Sequence, residues 1–316
     1  MTAGSDSPAP PSVSILIAAY NAQSFLHRAV ESALQQTLPV KEVLIVDDAS
    51  QDGTVAAACR LVQQDPRVRL ISLPVNGGPS AARNAGLDAA TGDWVAVLDA
   101  DDAYLPQRLE RMLACARVAR ADVVLDSFRY YRPAGETIGH PVLDDRVPDA
   151  LITCTEFVSH ARPYASEVDW GLLKPIFRRA FLQEHGLRYP LKTRHGEDFL
   201  FMCEVLLHGA RCALCRRAGY LYTSADANLS RTVRDYRLMF QHTMQLLRDP
   251  RITADPDLAR AVRDRAVAIR RLAAEVDFAR FHRDHDYNSI ARRMLGDNAF
   301  RMILARRLVR RLWSPR

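Results

Sequence analysis

The stretch AVLDADDAYLP, Ala96 to Pro106, brings Asp99, Asp101 and Asp102 within four positions at the end of an apolar run. Carboxylates that close repel one another and raise each other's proton affinity unless a cation stands among them. A divalent metal supplies such a cation: Mg²⁺ or Mn²⁺ takes oxygen ligands, typically one or two carboxylates, with phosphates and waters completing the shell. Two further acidic pairs could work with this cluster, Asp47–Asp48 in EVLIVDD and Glu197–Asp198 in RHGEDFLF. A calcium loop does not account for the cluster. Asp99, Asp101 and Glu110 match its first, third and twelfth positions, but Tyr104 stands where glycine is needed, Pro106 lies inside, and a strand precedes it.

The elements that must position these acids alternate from residue 13 to about 127. Short apolar, β-branched runs at 13–18, 42–48, 68–73, 93–101 and 122–128 are separated by helical patterns. That rhythm predicts an α/β fold with a mostly parallel sheet covered by helices. In such sheets ligands bind beyond the carboxyl ends of the strands, where Asp47, Asp48, Asp99, Asp101 and Asp102 fall. Periodicity weakens over 129–195; a helix is expected over 196–209 and a strand over 211–223. From about 235 the pattern is helical and rich in arginine.

Composition bounds the function. The chain has 316 residues, 48% hydrophobic and 25% charged, with a formal charge of +6. The excess is local: residues 301–316 hold six Arg and no acid, and the rest carries 37 bases and 37 acids. No basic, aromatic-interleaved face of a nucleic-acid reader precedes that tail, so no nucleic acid is expected as a partner. Six cysteines in apolar contexts, without a secretory leader, point to reduced thiols and a cytoplasmic protein. Residues 1–12 read as a disordered lead-in, and no apolar run approaches the roughly 20 residues of a membrane span.

A strand-end aspartate followed two residues on by another acid resembles the first motif of haloacid-dehalogenase-like phosphatases, with Asp99 as nucleophile. Those families want Thr or Val at Ala103 and carry the motif on the first strand, not the fourth. A fuller resemblance lies elsewhere. ILIAAYNAQSFLHRAVESALQQT, VLIVDDASQDGT, NGGPSAARNAG and LDADD occur in the order and spacing of inverting family 2 glycosyltransferases with the GT-A fold, over residues 13–128. LLKPIFRRAFLQEHGLRY and RHGEDFLF look like bacterial exopolysaccharide glycosyltransferases of the succinoglycan type.

The resemblance implies a domain plan and a set of roles. Residues 13–232 form a GT-A catalytic domain, with 13–128 as the nucleotide-sugar half and 129–232 as the acceptor half; 233–316 form a helical C-terminal region. Ala19 and Tyr20, with Asn21, line a uridine pocket. Asp48 accepts the uracil N3–H, while Asp47 better suits an Asx-turn with Ser50. Asn76 and Arg83 lie near the donor, where a guanidinium suits ribose and phosphate oxygens. Asp99, Ala100 and Asp101 form the DXD motif: Asp99 holds ribose or supports the metal shell, and Asp101 binds Mn²⁺ or Mg²⁺ directly. Asp198 is the general base with Glu197 in support, although acids in a first helical turn also serve the helix dipole. After YLYT the family carries an Arg and a Gly–Ser near the diphosphate. SADANLSR stands here instead, leaving open whether Ser230 or Arg231 makes that contact.

The implied activity is transfer of a hexose from a UDP-sugar, UDP-glucose favoured, to a lipid-linked polysaccharide acceptor. A phosphotransferase using Asp99 and a catalytically silent sugar-nucleotide-binding scaffold are the alternatives. Cys203, His208, Cys212 and Cys215 could be drawn as a zinc set, but a single CxxC on a strand, where side chains alternate faces, argues against it. Finally, Met302, Leu304, Ala305, Leu308, Val309, Leu312 and Trp313 fall on one half of a helical wheel, and Arg306, Arg307, Arg310 and Arg311 on the other. Such a tail describes either a helix at an anionic membrane interface, on the inner face of the plasma membrane, or a terminal helix packed on the protein.

Overall fold

The computed structural model describes residues 11–163, 168–191, 193, 195–223, 236–297 and 299–302. These form two compact units, one within Met1–Thr153 and Leu172–Thr232, the other within Cys154–Gly171 and Val233–Arg316. Residues 1–10 of the expected lead-in, Ser230 and Arg231, and tail residues 303–316 lie outside the described residues.

The first unit is built on one ten-stranded sheet: β1 (Val13–Ala19), β2 (Glu42–Asp47), β3 (Val68–Ser72), β4 (Trp94–Asp99), β5 (Ala103–Tyr104), β6 (Val123–Arg132), β7 (Thr137–Pro141), β8 (Ala150–Ile152), β9 (Ile176–Arg178) and β10 (Cys212–Thr223). The path runs β3-β2-β1-β4-β9-β6-β10-β5, with β7 on β6 and β8 on β10. Strands β1 to β4 are parallel, as expected; β1, β2 and β4 are buried on both faces, and β3, at the edge, only in part. β10 is parallel to β6. The three-residue β9 inserts antiparallel between β4 and β6, so the neighbour of β4 is not the next strand of the alternation. Too short to show a period of its own, β9 carries no strand signal in the sequence.

The helices are α1 (Leu26–Leu34), α2 (Thr54–Gln64), α3 (Pro79–Ala89), α4 (Arg108–Ala119), α5 (Cys154–His160), α6 (Arg179–Glu184), α7 (Glu197–Leu207), α8 (Tyr236–Gln245), α9 (Pro250–Thr253), α10 (Pro256–Arg283) and α11 (Tyr287–Gly296). Register brings the parallel strand ends level: Ala18 of β1 lies opposite Asp99 of β4, and Ala19 opposite Asp47 of β2. Helix α3 packs tightly on β1, where a Cβ on Gly86 would stand 2.4 Å from Leu16 Cδ1.

The second unit centres on α10, whose N-cap Asp255 accepts from the backbone N–H groups of Asp257 and Leu258 and is followed by Pro256. Leu258, Val262, Ala266 and Ile269 recur at helical spacing on its buried side. Residues 154–171, expected in the acceptor half, belong here: α5 packs on α10 and buries Phe157 and Val158. Phe278 and Phe300 close a smaller core at the far end of α10. No helix among the described residues is long and apolar enough to cross a membrane.

Candidate active site

Two glycines open the helices that carry the charged groups. Gly78, at φ 80°, precedes α3 and Arg83; Gly196, at φ 83°, precedes α7 and Glu197–Asp198. In this left-handed region an ordinary residue is strained. Asn21 (φ 50°) and Ala49 (φ 57°) adopt it nonetheless at the ends of β1 and β2, and such strain concentrates at functional sites. Asn21 compensates through its own contacts, accepting from Gln51 N–H at 2.9 Å while its backbone N–H reaches Ser50 Oγ at 2.9 Å.

At the end of β2 the two aspartates divide as expected in one respect: Asp47 Oδ2 accepts from Ser50 N–H at 3.2 Å, an Asx-type turn. Asp48 accepts from Gly77 N–H and Gly78 N–H, each at 2.8 Å, one on each oxygen. Asn76 adds its side-chain amide to the Asp48 carbonyl at 3.1 Å. The Asp48 carboxylate therefore shapes the Asn76–Gly78 loop. It also lines a cavity of about 280 Å³ with Ala19, Tyr20, Asn76, Gly78, Pro79 and His195. His195 was missed by sequence reasoning, although it stands next to the GED motif.

At the end of β4 the carboxylates are treated differently. Asp99 is ion-paired with Arg83 Nη2 at 3.0 Å and Lys174 Nζ at 2.7 Å. Arg83 Nη1 also meets Glu197 Oε1 and Asp198 Oδ1, each at 2.8 Å, and Lys174 Nζ meets Asp198 Oδ2 at 2.8 Å. Two buried cations thus bridge three carboxylates drawn from β4 and α7. Burial acts to raise the Asp99 pKa, but Lys174 and Arg83 outweigh it and hold the carboxyl well below the usual range. Burial works against the Lys174 ammonium, yet Asp198 and Asp99 keep it protonated. Glu197 moves the other way, its proton affinity raised by burial and by the Asp198 charge against the pull of Arg83. Lys174, in LLKPIF, is the other residue missed; its sequence neighbours are apolar, and its partners come from 75 and 24 residues away.

The loop that follows β4 is held by hydrogen bonds to β10. Ala100 is buried, and Asp102 accepts from the Tyr220 hydroxyl at 2.6 Å and Thr223 N–H at 2.7 Å. Tyr220 Oη in turn accepts from Asp99 N–H at 3.2 Å. Burial, then the Asp101 and Asp99 charges, push the Asp102 pKa well up. The Asp101 carbonyl accepts from Arg28 and the Thr223 hydroxyl. Asn84 of ARNAG clamps the Tyr189 backbone in both directions, at 2.9 and 2.8 Å, setting the Tyr189 ring 5.3 Å from the Arg83 guanidinium. The structure brings together Asp99, Arg83, Glu197 and Asp198, and separately Ala19, Tyr20, Asp48 and Asn76. The zinc set does not assemble: Cys203, Cys212 and Cys215 are buried and form no disulfide, and no group of three potential metal ligands occurs among the described residues.

A model described as glycosyl transferase family 2 matches residues 14–189. The chain belongs to glycosyl transferase family 2. Succinoglycan biosynthesis protein ExoO of Rhizobium meliloti (strain 1021) is 39% identical over 224 residues, 71% of this chain and 64% of ExoO. Succinoglycan biosynthesis protein ExoU of the same organism is 32% identical over 268 residues, 81% of this chain and 77% of ExoU. The matched part thus spans less than two thirds of ExoO. Among solved structures, S. aureus TarS 1-349 in complex with UDP-GlcNAc superposes with a TM-score of 0.60 at 22% identity, over 76% of this chain and 67% of that one. At that identity the likeness shows the fold, which is the expected GT-A architecture with a helical C-terminal region. Family membership removes the phosphotransferase reading of Asp99.

Proposed function

We propose that this family 2 protein is an inverting, metal-dependent glycosyltransferase. It moves a hexose, glucose favoured, from its UDP-sugar to a lipid-linked saccharide in the assembly of an exopolysaccharide. One observation carries the reading: Arg83 and Lys174 each bridge Asp99, of the DXD motif, and Asp198, of the ED motif. A donor-end and an acceptor-end carboxylate therefore share one buried pair of cations. ExoO and ExoU, named for succinoglycan biosynthesis, support the polysaccharide, and the UDP-GlcNAc complex of TarS supports the nucleotide.

The Asp48 cavity, near the lower end of the roughly 300–1,000 Å³ of small-molecule sites, takes the uridine end. Asp48, whose carboxylate accepts the Gly77 and Gly78 amides and lines this cavity, is the acceptor for the uracil N3–H in this reading. Asp101, with Asp99 beside it, would hold Mn²⁺ or Mg²⁺; hard carboxylate oxygens suit either ion. When bound, the metal neutralises charge on the departing UDP. The acceptor hydroxyl oxygen bonds to the anomeric carbon from the face opposite the diphosphate. The bond from that carbon to the β-phosphate oxygen breaks with its electron pair going to UDP, and the acceptor proton passes to Asp198. Lys174 and Arg83 fix the Asp198 carboxylate in place for that transfer. Glu197 is the second base candidate, because its raised proton affinity moves it toward working pH.

UDP-sugar hydrolysis over a donor panel tests the proposal, with Asp101→Ala expected to abolish both turnover and metal-dependent UDP binding. Near-normal activity of that variant under chelation overturns the metal site, and a preference for GDP-sugars overturns the Asp48 role. Binding without turnover across the panel identifies a silent scaffold. The C-terminal tail is proposed to hold the enzyme on an anionic membrane at the cytoplasmic face. Because Phe300 is fully buried, the truncation should start at residue 303. Sedimentation with anionic liposomes should then be lost while hydrolysis survives; unchanged sedimentation overturns membrane contact.

A further inference from the structure

Aromatic side chains form a line along one face of β6 and β10. Register sets Tyr220 opposite Phe128 and Tyr222 opposite Tyr130. Ring centroids lie 5.2 Å apart for Phe128–Tyr130, 5.3 Å for Phe128–Tyr222 and 5.9 Å for Tyr130–Tyr222. Phe128 and Tyr220 are each 1% exposed, and core packing accounts for them. It does not account for Tyr130, which ends the line 42% exposed. Gly139 of β7 crosses beside Tyr130 without a side chain; a Cβ there would stand 3.9 Å from Tyr130 Cβ.

The line is tied to the charged cluster at two points. Tyr220 hydrogen-bonds Asp102 and the Asp99 backbone. Arg108, 5.3 Å from the Tyr220 ring, donates to the Lys174 carbonyl at 2.6 Å. The exposed end lies toward the carboxyl ends of two parallel strands, where ligands of such sheets bind. It does not contribute to the Asp48 cavity, which the end of β1, Asp48, the Asn76–Gly78 loop, α3 and His195 line.

We propose that Tyr130 and Tyr222 form a stacking platform for a pyranosyl ring of the acceptor, beside Lys174 and Asp198. This rests on the glycosyltransferase reading above. A pyranose presents C–H groups whose partial positive charge is drawn to the negative face of an aromatic ring. The hydroxyl of the exposed Tyr130, both donor and acceptor, matches the sugar's equatorial hydroxyls. The two rings stand at 77° to one another, so one can lie under a sugar face while the other meets its edge.

Saturation-transfer NMR of methyl β-D-glucopyranoside with the full chain, UDP and Mn²⁺ tests the platform. The wild type should transfer saturation to the ring protons. Tyr130→Ala should reduce it at least tenfold, Tyr130→Phe should retain most of it, and UDP affinity should stay within twofold in both. No transfer in the wild type, or an undiminished signal in Tyr130→Ala, overturns the proposal. If UDP fails to bind while the glucoside signal still depends on Tyr130, the donor reading fails and the platform stands.

Discussion

Arg83 and Arg108 are both buried arginines that meet aspartate at hydrogen-bonding distance, yet their surroundings differ in charge balance. Arg108 faces one carboxylate. Asp126 receives its Nε at 3.0 Å and its Nη2 at 2.7 Å, and the guanidinium lies 4.2 Å from the centroid of the Tyr104 ring. Both members are sealed, and a Cβ on Gly219 would strike Arg108 and Asp126 at under 3 Å. Arg83 and Lys174 face three carboxylates, whose side chains are 26%, 11% and 17% exposed at Asp99, Glu197 and Asp198. One cluster is neutral and closed. The other has an acid in excess and opens toward solvent, the condition for receiving a metal, a proton or a polar substrate. The difference teaches that a buried ion pair alone does not mark a site; the proposed site is set apart by its charge imbalance and its partial exposure.

The largest effect should come from the open cluster. Asp198→Asn removes the excess acid while keeping its shape, so turnover should fall by about 10²–10⁴-fold. UDP binding and the urea midpoint should stay near the wild-type values. Unchanged turnover would pass the base role to Glu197, and a large loss of UDP affinity would place Asp198 on the donor side.

The closed pair should respond in the opposite way. Arg108→Met leaves Asp126 buried without its cation and should cost about 3–5 kcal/mol of stability by urea denaturation. Adding Asp126→Asn should restore part of that loss, since the stranded charge is then gone. Because Arg108 also holds the Lys174 carbonyl, turnover of the folded fraction should fall more than UDP binding does. If the single variant is as stable as the wild type, the contrast between the two arginines fails.

How far each region can be read from sequence follows the same contrast. The strand ends carrying Asp48 and Asp99 were legible because parallel βαβ units repeat a local rhythm, and buried strands stop abruptly where polar residues begin. ARNAG was legible as a motif, but not that Asn84 works by clamping Tyr189, 105 residues on. Lys174 and the Arg108–Asp126 pair were not legible. A charged residue among apolar neighbours looks alike whether it is solvated or sealed, and its partners are set by the antiparallel insertion of β9. Asp48 was read for its ligand, and its two bonds to the Gly77 and Gly78 amides became visible only with the loop in three dimensions.

The smallest effect calibrates both arginines, because Glu42 is a carboxylate held mainly by neutral donors. Its Oε1 accepts from the Ser14 hydroxyl at 2.7 Å and from Thr91 N–H and Oγ1 at 2.8 and 2.7 Å, and its Oε2 from the half-exposed Arg69 at 2.7 Å. Burial would raise its pKa, but these hydrogen bonds outweigh burial and lower it below the ordinary 4.5. A carboxylate depressed in the folded state stabilises the protein above its unfolded pKa, and that contribution is lost as pH falls through the folded value. Glu42→Gln keeps an acceptor oxygen and an exposed arginine, so it should cost only about 1 kcal/mol at pH 7. Urea midpoints of variant and wild type should converge as pH is lowered from 5 toward 3. A gap that persists at low pH would mean that Glu42 acts through packing rather than charge. The far larger cost expected at Arg108 would then have to be remeasured against a shape-matched control before burial of charge is credited with it.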